Sequence, residues 1–229
     1  MVRMLATGKP AAVRRHHRAP SPLHFPEQAT VPETKRHLEL RTLLYLVLKT
    51  FADRHTIGSD QFVYWLASNP RRCLAPDAFV RLGTPDTTFR SWKTWERGAP
   101  ELAVEIVSDH DDDTADWDEK LDRYHELGVL ELVRFDPAAP EGQRLRVWDR
   151  IQGDLVEREV EADHTACDVL GLHWVVAASN GMPVALRLAR DPAGRDLVLT
   201  AEEAAEVRAK AAERRIAELE AELQRQRGG

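Results

Sequence analysis

Between Leu102 and Val107 the chain reads LAVEIV, a compact apolar run broken by one carboxylate, Glu105. Apolar residues at nearly every position over so short a length predict a strand covered on both faces. An unpaired carboxylate in such a strand is expensive, or it takes up a proton. Two rescues are open from the sequence. One is an ion pair with a buried Arg or Lys, and the other is a divalent cation whose charge offsets the desolvation.

The neighbouring segments supply the rest of a layered sheet. Residues 33–55 predict a helix, because Leu40, Leu43, Leu44, Val47, Leu48 and Phe51 recur three and four apart. Residues 61–66 (QFVYWL) are rich in strand-forming types, and Ala78–Val80 reads as a short buried strand with Asp77 at its start. Thr114 is a plausible N-cap for a helix over 115–127, with Gly128 as its C′ residue. Residues 129–135 predict a strand stopped at Asp136-Pro137. LRVWDRI and LVEREV flank Gln152-Gly153-Asp154 as a hairpin, and PVALRLA is a further β segment. This order predicts an α/β chain with a mixed central β-sheet flanked by helices.

Three regions follow from composition. Residues 1–30 are basic and rich in Pro and Ala, without the apolar core of a secretory signal. They read as a disordered arm, with contact to nucleic-acid phosphates as the alternative. Residues 31–199 form the folded domain. From Thr200 a helix is expected, opened by a Thr200–Glu203 capping box. In it Ala205, Ala209, Ala212, Ile216, Leu219 and Leu223 alternate four and three apart, the spacing of a coiled coil. So short a seam needs a partner. It implies either a homodimer through the C-terminal helix or a solvated or intramolecularly docked helix.

Charge and cysteine content exclude some classes. The net charge of −6 over 229 residues gives no global support for nucleic-acid binding, so any such activity depends on a local basic surface. Two cysteines with no CxxC argue against a disulfide scaffold or a structural zinc site and fit a reducing cytoplasm. No run of about 18 apolar residues suggests a membrane span.

Asp77 lies at the edge of an apolar strand twenty-eight residues before Glu105. Antiparallel neighbouring strands could bring the two carboxylates together. Mg²⁺ often takes one or two protein carboxylates and keeps water and phosphate in its other positions. The alternative is that Asp77 merely turns the chain after Pro76. Lys120 shares a helix side with Trp117, Leu121, Tyr124 and Leu127, at the edge of the apolar face. It either points inward or forms an exposed pair with Asp116, worth only about 0.3–0.5 kcal/mol. The acidic run from Asp109 does not suit an EF-hand: Thr114 stands where the loop needs Gly, and Lys120 where it needs Glu.

The segments CLAPDAFV, APELAVEIVS, DEKLDRYHELGVLELVRFDP and RLRVWDR, in this order, resemble the bacterial Uma-type restriction endonucleases of the PD-(D/E)XK nuclease superfamily. The similarity runs from about His37 to Leu199. The resemblance implies a restriction-endonuclease-like sheet and Mg²⁺-dependent hydrolysis of DNA phosphodiesters, with Mn²⁺ as a substitute. It implies Asp77 and Glu105 as metal ligands and Lys120 as the catalytic lysine. The superfamily's usual lysine position holds Val107, so the lysine is displaced onto the next helix. His37 and Glu39 fall where such enzymes carry additional polar active-site residues. Two other readings stand beside this one. The chain could be a catalytically inactive nuclease fold serving as a nucleic-acid-binding or assembly module, or chiefly a dimeric adaptor working through its tail.

Overall fold

The protein is described from a computed structural model covering residues 23–26, 34–108, 114–179 and 181–227. The acidic run Asp109–Asp113 and all of the expected N-terminal arm except 23–26 lie outside the described residues. Within 23–26 the chain is held against the domain. Phe25 meets Tyr64 edge-on with ring centroids 5.0 Å apart, and the Tyr64 hydroxyl donates to the Pro26 carbonyl at 2.5 Å.

In chain order the elements are α1 (Lys35–Leu48), β1 (Thr56–Gly58), β2 (Val63–Tyr64), β3 (Cys73–Leu74), β4 (Ala78–Arg81) and β5 (Trp92–Lys93). There follow α2 (Thr94–Arg97), β6 (Leu102–Ile106), α3 (Thr114–Leu127), β7 (Glu131–Phe135), β8 (Leu145–Ile151) and β9 (Asp154–Arg158). The last are β10 (His164–Cys167), β11 (Leu172–Ser179), β12 (Met182–Ala189) and α4 (Ala201–Arg227).

The central sheet has the order β1-β4-β6-β7-β8-β9. Every neighbouring pair is antiparallel except β6 and β7. A parallel pair needs a long crossover, and α3 is that crossover. Side chains of β6 alternate between two cores, as the two-residue strand period requires. Leu102, Val104 and Ile106 join Val133, Phe135, the apolar face of α1 and residues of β11 and β12. Ala103 joins Phe79, Leu132 and Trp148 under Tyr124 and Leu127 of α3 and Trp92 of β5. Glu105 shares the parity of Ala103, so it faces α3. The expected mixed sheet with covering helices is the observed fold.

Local chemistry sets the element ends. The Thr34 hydroxyl accepts from the His37 amide at 3.2 Å and caps α1. The helix predicted to residue 55 stops at Leu48 and tightens into a 3₁₀ turn over Lys49–Phe51. Gly128 ends α3 at φ +91°, a conformation glycine adopts without strain. Gln152 and Gly153 both have positive φ, which makes the β8–β9 turn one that matches strand twist. In β1, Gly58 pairs with Phe79, whose ring lies where a Cβ would stand.

The strand expected over 61–66 shrinks to Val63–Tyr64, which pairs with β3 and β5 in a separate small sheet. The β10-β11-β12 sheet packs on the α1 side of the central sheet. Beneath it Glu131 accepts from Trp174 Nε1 at 2.7 Å and from the Val169 amide at 3.2 Å, tying β7 to that layer. Among the described residues no helix is long and apolar enough to cross a membrane.

The capping box of α4 is present. The Glu203 amide donates to Thr200 Oγ1 at 3.1 Å, and the Thr200 amide to Glu203 Oε2 at 2.8 Å. Glu203 also receives both terminal nitrogens of the buried Arg187 guanidinium at 2.8 Å, fixing the first turn of α4 to β12. From Ala205 to Arg227 every residue is exposed. The helix therefore leaves the domain, and the intramolecularly docked alternative does not hold.

Candidate active site

Asp77 and Glu105 lie close together. In the antiparallel β4–β6 ladder Ala78 pairs with Val104 and Phe79 with Ala103; Asp77, one residue before β4, takes the Ile106 amide on its carboxylate, and its charge acts on Glu105. Glu105 faces α3, whereas Asp77, at the start of β4, is reached by α1. Both are buried.

Each carboxylate is held by neighbours from a different element. Asp77 Oδ2 accepts from the Ile106 amide at 2.7 Å, and Oδ1 lies 2.7 Å from His37 Nε2 on α1. Arg41, one turn further along α1, places Nε 3.9 Å from the same oxygen. The Ser59 hydroxyl donates to the Asp77 carbonyl at 2.8 Å and fixes the backbone there. Glu105 is gripped by α3. Lys120 Nζ donates to Oε2 at 2.8 Å, and the Tyr124 hydroxyl donates to Oε1. Lys120 and Tyr124 are four residues apart on one helix face, so a single helix orientation delivers both.

Burial pushes the Glu105 carboxyl above the usual carboxylate range, and the charge of Asp77 adds to this, while Lys120 pulls the other way. Burial, then the negative charge of Glu105, raises the Tyr124 phenol well above its ordinary value and keeps it a donor. The Lys120 side chain is 30% exposed, against 7% for Glu105, so the ammonium stands at the mouth of the site.

The structure therefore brings Asp77, Glu105, Lys120 and His37 together. It does not bring Glu39, which is exposed and pairs with Lys35 at 3.4 Å. Three further residues belong to the surroundings. Tyr124 was legible only as part of an apolar helix face and of the K-x-x-x-Y spacing. Arg41 follows His37 by four residues, which places both on one side of α1. Arg134 pairs with Glu105 across β6–β7 and holds its guanidinium 5.0 Å from the Trp117 ring centre. No short sequence signal marks Arg134, because its nearness depends on the β6–β7 register.

Two neighbouring carboxylates are hard oxygen donors. Each oxygen, with two lone-pair sites, keeps acceptor capacity beyond the bonds above. This suits a hexacoordinate cation that fills most positions with water. Among the described residues no group of three or more His, Cys, Asp or Glu side chains is placed to hold an ion. The donor set thus fits an ion such as Mg²⁺ and not a fully protein-ligated one.

The mixed sheet with its crossover helix is an α/β fold, with the two acids close together beside it. The chain belongs to the Uma2 family, described as putative restriction endonuclease, whose model matches residues 27–184. It is thus a member of a nuclease family. A solved structure of a putative nuclease belonging to DUF820 from Anabaena variabilis ATCC 29413 is 12% identical, covering 57% of this chain and 70% of its own, with a TM-score of 0.38. A comparison with curated proteins gave no match.

Proposed function

We propose that the protein is a cytoplasmic, metal-dependent endonuclease that hydrolyses phosphodiester bonds in DNA. The observation that carries this reading is that Asp77 is bonded to the residue next to Glu105 and acts on its charge, with Lys120 bonded to Glu105. The two carboxylates would hold Mg²⁺, or Mn²⁺ in its place, which when bound neutralises charge on the scissile phosphate and makes water a better nucleophile. His37 and the Ile106 amide fix the rotamer of Asp77. Tyr124 does the same for Glu105 and stays protonated. Lys120, at the half-open edge, offsets charge growing on the phosphoryl oxygens or orients the attacking water. Cutting both strands of a duplex needs two such sites, and the exposed seam of α4 is the surface through which two chains would pair.

Incubation of the purified protein with plasmid DNA tests the reading. Nicking or linearisation is expected with Mg²⁺ or Mn²⁺ and not with EDTA, and it should be lost in Asp77→Ala and in Glu105→Ala. Metal-dependent cutting that survives either change would reject the site.

One observation favours a second reading, a nuclease fold retained for binding or assembly. Glu105 already has Lys120 as its counter-charge and the Tyr124 hydroxyl as a hydrogen-bond donor, an arrangement that needs no ion. Plasmid left intact under every metal condition, together with a measurable shift of DNA mobility, is the outcome that reading expects.

A further inference from the structure

Among the described residues nothing covers the apolar seam of α4, and the charges beside it say what does. With Ala209, Ile216 and Leu223 at a and Ala205, Ala212 and Leu219 at d, the flanking positions are fixed. The e positions are Glu206, Glu213, Glu220 and Arg227; the g positions are Arg208, Arg215 and Glu222. In a parallel pair, each g residue meets the e residue of the next heptad on the other helix. Arg208 then meets Glu213, Arg215 meets Glu220, and Glu222 meets Arg227, all opposite in sign. In an antiparallel pair, e faces e, and the glutamates from Glu206 to Glu220 would line one flank against each other. Like charges so placed disfavour that orientation.

We propose that α4 pairs with α4 of a second copy of this chain as a parallel two-stranded coiled coil. A β-branched Ile216 at a followed by Leu219 at d is the combination that favours two strands. The three alanines lie in the half next to the domain, so the larger apolar contacts gather between Ile216 and Leu223. Parallel pairing puts both domains at the same end of the coil. The Arg187–Glu203 clamp joins each domain to the helix, so the helix does not swing freely. This orientation rests on the pairing through α4 proposed above and is independent of catalysis.

The test uses the full chain with Cys73→Ser, which removes the partly exposed thiol and leaves only the buried Cys167. Ala205→Cys and Leu223→Cys are introduced separately and oxidised. A parallel coil self-links in each variant, near either end of the seam. Links that form only when the two variants are mixed indicate an antiparallel coil and overturn the orientation, leaving pairing intact. Sedimentation equilibrium should give twice the 25.9 kDa chain mass at micromolar concentration; a single-chain mass overturns the pairing itself. Glu213→Lys with Glu220→Lys should weaken association about tenfold or more, and adding Arg208→Glu with Arg215→Glu should restore it. Unchanged association in the first variant would contradict the charge pairing.

Discussion

Glu105 would be an expensive residue in a covered strand if nothing met it. Lys120 and Tyr124 meet it from α3, and Asp77 lies near it with His37 and the Ile106 amide as partners. Each neighbour therefore has a separable role. Lys120→Ala should lower cleavage by about two to three orders of magnitude without abolishing Mn²⁺ binding, because the ammonium serves charge that grows during the reaction. Single-turnover rates beside calorimetric metal titration would separate those two effects. His37→Ala should reduce activity by loosening Asp77, whereas Glu39→Ala should leave it at the wild-type level, since Glu39 faces solvent and Lys35. Equal losses in both variants would contradict the placement of α1. At this scale the sequence already singled out the two acids and the lysine, because a charge in an apolar run is conspicuous. Glu39 was grouped with His37 by proximity in the chain, but two residues along a helix turn a side chain to a different face.

The elements are held together by buried polar groups that respond to pH and to substitution. Glu131 opens β7, is fully buried, and receives Trp174 and the Val169 amide. Burial raises its carboxyl above the ordinary value of 4.5, more than its hydrogen bonds and Arg158 lower it. The folded state therefore binds this proton more tightly than the unfolded chain does. Its contribution to stability is full below about pH 4.5 and is lost as pH rises through the folded value. Glu131→Gln removes the effect, so the stability of wild type relative to the variant should fall as pH rises towards neutrality. Urea titrations across that range measure it, and wild-type stability that rises with pH relative to the variant would contradict the sign. The Arg187–Glu203 clamp makes the opposite case. Glu203→Ala leaves a buried guanidinium without its carboxylate and should cost about 3–5 kcal/mol in denaturant unfolding. The periodic α3 and α4 were readable within a few residues of their ends, while α1 was readable at its start but expected to run to residue 55, past its end at Leu48. The short β1, β3 and β5 were not, because two or three residues carry no period and exist only through their partners.

At the level of the whole molecule, sequence order limited the topology, and register made the site. A helix between two strands implied the crossover, and acids before β4 and within β6 implied a meeting if those strands were antiparallel neighbours. The layer formed by β10, β11 and β12 was only partly legible, because β11 is broadly apolar and does not alternate cleanly. The net charge of −6 describes the chain as a whole and not the face that holds Lys120, Arg41 and Arg134, so it does not decide the partner. The central claim is that Asp77 and Glu105 share a divalent ion. Anomalous diffraction from crystals soaked in Mn²⁺ tests it most directly. A peak within coordination distance of both carboxylates, lost in Asp77→Ala crystals, is the predicted result. A well-occupied Mn²⁺ elsewhere with none between these two residues would contradict it.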